Sequence, residues 1–234
     1  MKYAAIIAII LSSSFGLYTW MNNPESQMVA VTVRAGSKAE MALPDGTFVH
    51  LNAATNLEYD VNNSKQRLVK LSGEAFFDVA KNPDCPFKVI INDLQIEVVG
   101  TSFNVKTYKK DIVETSLLSG RIRISGGSLP HEYTLSPGQK ATYSAMDRTL
   151  RISKADAHVE AGWRDNYLIF ESTPLIDVIA QIERWYGVEI RLHHKQIAQD
   201  LLSGSFRNES IQNVIRSLSI PVSYTHLRAH ETPE

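Results

Sequence analysis

Few residues of this chain are spaced for chemistry. Glu74 and Asp78 are a pair of carboxylates, but at i and i+4 on an extended segment they lie far apart, unlike two acids that share a proton. Glu74 follows Gly73 and reads most simply as an acceptor for turn amides. The run Gly100-Thr101-Ser102-Phe103-Asn104 sets a hydroxyl behind a glycine but lacks the second glycine that closes a nucleophile elbow, so Ser102 reads as a turn hydroxyl. His193 and His194 are neighbours in a strand, point to opposite faces and cannot jointly hold a metal without distortion. The single cysteine, Cys85, excludes an internal disulfide; beside Pro86 it reads as a small packed residue, with nothing near it to activate a thiolate. No nucleophile stands next to a base, and the expectation is a protein that is not an enzyme and carries no cofactor or metal.

The chemistry left is recognition. Trp185 and Tyr186 end a helix whose apolar face already needs cover, so packing against a sheet is one reading of them. The other is that Trp185 reaches the rim, flanked by Arg184 and Phe206, and anchors a protein partner. Nucleic acid is not the expected partner: 24 basic against 25 acidic side chains provide no basic stripe.

The elements that position these residues follow from periodicity. The densest β pattern is Leu71-Ser72-Gly73-Glu74-Ala75-Phe76-Phe77-Asp78-Val79-Ala80-Lys81. Ala75, Phe77 and Val79 share one face, Phe76 and Asp78 the other, and the strand is expected to be largely buried. Gly73 marks a sharp corner, and Pro83 and Pro86 interrupt the chain before Phe87, Val89 and Ile91 resume the alternation. Similar short strands, separated by Gly and Pro turn signals, recur from residue 28 to about 160 and describe an all-β, hairpin-rich domain, solenoid- or sandwich-like.

From residue 161 to 222 the pattern becomes β-α-β-β-α-β, a small α+β unit. Asn166 to Glu171 reads as a strand, and Thr173-Pro174 as an N-cap and first helical position of a helix running to Tyr186 and stopped by Gly187. Its apolar face is Leu175, Val178, Ile179, Ile182 and Tyr186. Val188 to Leu192 and Leu202 to Phe206 read as strands, and Asn208 as the cap of a second helix carrying Ile211, Val214, Ile215 and Leu218. At the other end, residues 3 to 21 carry no charge and as a helix would extend about 28 Å, enough to span a bilayer core. Lys2 lies on one side, Tyr18 and Trp20 suit the far interface, and no small-x-small cleavage site follows. Residues 1–21 therefore read as an uncleaved transmembrane anchor and 22–27 as a polar linker.

Five stretches in order, Leu43-Pro44-Asp45-Gly46-Thr47 with Leu51-Asn52-Ala53, the Leu71 to Lys81 run, Gly100-Thr101-Ser102-Phe103-Asn104-Val105, Leu135-Ser136-Pro137-Gly138 and Glu183-Arg184-Trp185-Tyr186-Gly187-Val188, resemble the periplasmic part of FecR-type anti-sigma regulators of the Bacteroidetes kind. The resemblance covers about residues 1 to 222. It implies a single-pass inner-membrane protein whose C-terminal part lies in the periplasm and senses the N-terminal signalling domain of a TonB-dependent outer-membrane transporter. It further implies an extracytoplasmic-function sigma factor as the regulated partner, reached only through a cytoplasmic domain missing ahead of the span, so that either the start is truncated, the favoured reading, or the protein is a sensor half acting through another polypeptide. The final α+β unit is similar to the secretin/TonB short N-terminal domain of such transporters. Residues 223–234 have no alternation, resemble translated adapter read-through, and are expected to be a tail that leaves the last sheet without its final strand. The alternative to signal relay is a membrane-tethered structural or carbohydrate-binding β module.

Overall fold

The computed structural model describes residues 11–17, 27–61, 67–192, 195–218 and 222–226. Fourteen strands follow one another in its first part. They are β1 (Met28–Val33), β2 (Ala39–Ala42), β3 (Phe48–Leu51), β4 (Thr55–Asp60), β5 (Arg67–Ser72), β6 (Glu74–Asp78) and β7 (Phe87–Ile91). After them come β8 (Leu94–Val98), β9 (Ser102–Lys106), β10 (Ile112–Ser119), β11 (Ile122–Gly126), β12 (Tyr133–Leu135), β13 (Gln139–Ser144) and β14 (Thr149–Lys154). One sheet has the order β1-β4-β5-β7-β8-β11-β12, the other β14-β13-β10-β9-β6-β3-β2.

Side chains from both sheets meet in one core, so of the two expected architectures the chain adopts the sandwich. Alternation places them there: on β7 and β8 the buried residues are Phe87, Val89, Ile91 and Leu94, Ile96, Val98. Phe77 joins the layers, stacked on Phe103 within its own sheet at 5.2 Å and 5.8 Å from Phe87 of the facing sheet. The chain enters the second sheet between β5 and β7, which makes β5 and β7 a parallel pair among antiparallel neighbours. Gly73 makes that crossing at φ 113°, where a Cβ would stand 2.5 Å from Thr55 Oγ1. β6 is buried on both faces up to Phe77, as its residue pattern predicts.

A strap crosses the outer face of the second sheet: helix α1 (Ala157–Ala161), capped by Asp156, and a 3-10 turn at Gly162–Asp165. The α+β unit follows with β15 (Tyr167–Pro174), helix α2 (Leu175–Tyr186), β16 (Val188–Leu192), a 3-10 turn (Lys195–Gln199), β17 (Leu201–Arg207), helix α3 (Ile211–Leu218) and β18 (Val222–His226). This is the expected β-α-β-β-α-β order. β15 pairs with β17 and β16 with β18, both antiparallel, around a second core of Leu168, Phe170, Leu175, Val178, Ile179, Ile182, Val188, Ile190, Ile211 and Val214.

Three expectations are corrected. Residues 223–226 belong to β18 rather than to a tail: a strand on one side of β16 needs only backbone pairing from Val222 to His226, which an apolar alternation would merely reinforce. The rest of that run, 227–234, lies outside the described residues. α2 begins at Leu175, and Pro174 is still paired in β15 while standing at the cap position without a side-chain cap bond. The cap of α3 is Ser210, whose Oγ accepts from Asn213 N at 3.3 Å, because Asn208 takes a left-handed turn at φ 52° two residues earlier.

Of the expected anchor, only residues 11–17 are described; they are helical, with Leu11, Phe15 and Leu17 exposed. Among the described residues no helix is long and apolar enough to cross a membrane. His193 and His194 lie outside the described residues.

Candidate functional site

β6 presents Glu74 and Phe76 to the outer face of its sheet, and the strap closes over them. Phe76, Ala161 and Trp163 form a small buried cluster, with Leu118 and Trp185 packed against it. A polar chain runs beneath it. Glu74 Oε2 accepts from Asn52 Nδ2 at 2.7 Å, and Glu74 Oε1 from Asn104 Nδ2 at 3.0 Å. Asn104 Oδ1 in turn accepts from Trp163 Nε1 at 3.1 Å, and Asn52 Oδ1 from Ala53 N at 2.8 Å. Each amide orientation is fixed by its second bond, so one carboxylate determines where the strap indole sits. This corrects the reading of Glu74: its acceptors serve two side-chain amides, Asn52 just past the end of β3 and Asn104 on β9, not turn amides. The far end of the strap is tied by Lys140 Nζ, 2.9 Å from both Glu114 Oε1 and Glu160 Oε1. Burial works against the Lys140 charge, but those two carboxylates outweigh it and hold its pKa up.

Helix α2 has two working faces. Leu175, Val178, Ile179 and Ile182 bury it in its own unit. Asp177, Arg184 and Trp185, at i, i+7 and i+8, form a second stripe that meets the sandwich. Lys109 Nζ lies 2.7 Å from Asp177 Oδ2, the Arg184 guanidinium sits 4.0 Å over the Tyr108 ring, and Lys38 Nζ sits 3.7 Å over the Trp185 ring. Lys38 also donates to Trp163 O at 2.5 Å and Asn166 Oδ1 at 3.0 Å. The helix end closes the seam: Gly187, at φ 64°, caps α2 through Glu183 O, and Gly36 N donates to the next free carbonyl, Arg184 O, at 2.7 Å. A Cβ on Gly187 would meet Ala35 O at 3.1 Å, so glycine serves both the cap and the contact.

Two groups report the desolvation. Burial lowers the Lys38 pKa to about 8, with Glu74 and Asp165 pulling the other way. Burial, and after it the Glu74 charge, push the Tyr108 phenol well above its ordinary value while its hydroxyl donates to Ala53 O at 2.5 Å. Such a seam can hold two bodies together or let them part; both oxygens of its one buried carboxylate are committed to amides.

The structure brings Arg184 and Trp185 together in this seam. Phe206 sits elsewhere, on β17, its ring 6.3 Å from Phe170 in the α+β core. Ser102 is on a strand, bonded to Asp78 Oδ1 at 2.8 Å, rather than in a turn. Lys38, Tyr108, Lys109 and Trp163 join the seam without any motif in the sequence that marks them, and Asn104 joins it from within the Gly100 to Val105 run. Only the i, i+7, i+8 stripe of α2 carries a sequence signal for them, and it names one side of the contact. Among the described residues no group of His, Cys, Asp and Glu side chains could hold a metal.

Residues 29–123 match the family model described as FecR protein, and residues 167–226 the model described as FecR, C-terminal. Two crystal structures of a "putative anti-sigma factor" from Parabacteroides distasonis ATCC 8503 are similar at 31% identity and TM-score 0.75. Each match covers 82% of this chain, and 91% and 90% of the respective crystallised chains. No curated protein matches the sequence.

Proposed function

The chain belongs to the FecR family of anti-sigma factors, and we propose on that premise that its two units receive a signal from outside the inner membrane and relay it to the regulation of a sigma factor. The signal is the N-terminal signalling domain of a TonB-dependent outer-membrane transporter, which docks on the α+β unit. The chain is held at the inner membrane by residues 1–21, with residues 28–222 in the periplasm as a sandwich and an α+β domain. The extracytoplasmic-function sigma factor is gripped by a cytoplasmic part of the system and not by the residues described.

One observation carries the reading. The α+β unit has its own core, and among the described residues each of its two sheets has only two strands. The outer edges of these two-stranded sheets can take an added strand wherever a side chain does not already cap them, as Glu183 Oε1 caps the Ile190 N–H of β16 at 2.7 Å; strand addition of this kind is the mode by which small domains join edge to edge. A carbohydrate-binding module would instead expose a platform of rings, whereas Phe76, Phe77, Phe87 and Phe103 of the sandwich are buried and Phe48 stands exposed without them.

Calorimetric titration of the purified chain with the isolated signalling domain of the transporter encoded beside its gene tests the proposal. Saturable binding at micromolar affinity or tighter is the expected result. No heat and no complex by sizing, with both proteins folded, removes that partner.

A further inference from the structure

The stripe of α2 singled out for partner recognition is already occupied. Tyr108 and Lys109, consecutive residues of the β9–β10 connection, reach Arg184 and Asp177, and Lys38 covers Trp185. We infer that the sandwich masks its own docking face, and that a partner which binds Asp177, Arg184 and Trp185 must displace the sandwich and open the seam. This rests on the relay reading for the identity of the partner, but the masking itself does not.

Three features make the seam a latch rather than a permanent interface. First, its contacts at the stripe are separate point contacts, a cation on a ring twice and one ion pair, with Lys109 and Asp177 62% and 31% exposed. The exposed Lys109–Asp177 pair is individually weak, and the partly desolvated Lys38 over Trp185 is the stronger of the point contacts. Second, the units have separate cores, and the apolar contact that bridges them is Trp185, packed against both the α+β core and the strap cluster of Phe76, Ala161 and Trp163. Third, the backbone bond from the sandwich to the α2 end, Gly36 N to Arg184 O, depends on two glycines lying back to back and has no side chains to interlock.

The mask also states the chemistry of its competitor. To replace the sandwich without leaving groups unpaired, a partner has to bring what the sandwich brings: an aromatic ring for Arg184, a cation for the Trp185 face and a second cation for Asp177. The fitting occupant is a folded protein domain with two basic side chains set around an aromatic one, and binding would shift the chain from a closed to an open population.

Two variants of the full chain separate the parts of this inference. Lys109→Glu acts from the sandwich side, leaves the α2 stripe intact and lies on an exposed loop. Amide exchange at Gly36 should become roughly fivefold faster while amides of β6 and β9 are unchanged, and the signalling domain should bind tighter by a similar factor, because more chain is in the competent state. Asp177→Lys should open the seam equally but weaken binding, because it reverses the charge the partner needs. Unchanged Gly36 exchange in both variants overturns the latch. Faster exchange with unchanged affinity in Lys109→Glu overturns the shared face and leaves the relay reading standing. If none of the three proteins binds the signalling domain, the relay reading fails and takes the shared face with it, while exchange still decides the latch.

Discussion

Replacing Glu74 by Gln tests whether one carboxylate positions the strap. The substitution keeps shape and hydrogen-bonding atoms but exchanges an acceptor for an NH2 facing an amide donor. Both neighbours are donors there, Asn52 Nδ2 at 2.7 Å and Asn104 Nδ2 at 3.0 Å. Neither can flip to help. Turning Asn104 would point its NH2 at Trp163 Nε1–H, and turning Asn52 would point its NH2 at Ala53 N–H. Wherever the mismatch settles, one charge-assisted bond is lost and one buried donor is left without an acceptor, about 3 kcal/mol together, partly offset by no longer burying a charge. The expected net loss is about 2 kcal/mol, or roughly 4–8 °C in Tm for a chain of this size. Urea unfolding followed by tryptophan emission reads it, and the folded emission should shift to the red as Trp163 loosens. Asp78→Asn is the control, since Asp78 is exposed and bonded to a surface serine. A Glu74→Gln chain within 0.5 kcal/mol of wild type with unshifted emission would refute the reasoning.

Stability should rise with pH through Lys38. Below about 8 folded and unfolded chains are both protonated and the folded chain bears the full cost of desolvating the ammonium; above it the folded chain releases the proton first, until the unfolded chain follows near 10.5. Because the residue is partly exposed, the gain is about 1 kcal/mol, and Lys38→Met, compared by urea midpoint at pH 7 and 10, should lack it. Phe77→Ala should cost about 3–5 kcal/mol, since the ring touches both layers of the sandwich core, and should do so by chemical denaturation at any pH in the stable range. Ser210→Ala should cost about 1 kcal/mol, seen as faster amide exchange in the first turn of α3.

The sandwich and the α+β unit were legible because their signals are local. Alternation at β5 to β8 names the buried residues, Gly73 marks a corner that only glycine fits, and Gly187 ends α2 where the apolar stripe stops. What was not legible arises between segments far apart in sequence. Lys38 meets Trp163 and Trp185, and Glu74 reaches Asn104 and through it Trp163, by contacts that no period predicts. Residues 223–226 also hid a strand, because pairing to β16 is a backbone matter that leaves little trace in side-chain pattern. The turn roles read into Glu74 and Ser102 failed for the same reason: each bonds across strands rather than along the chain.

Hydrogen exchange at the Gly36 amide, followed as the full chain is titrated with the transporter's signalling domain, tests the central claim most directly. Saturable binding together with faster exchange at Gly36 is expected, as the partner takes the α2 stripe from the sandwich. Saturable binding with Gly36 equally or better protected would contradict it, because the signal would then arrive without parting the two units.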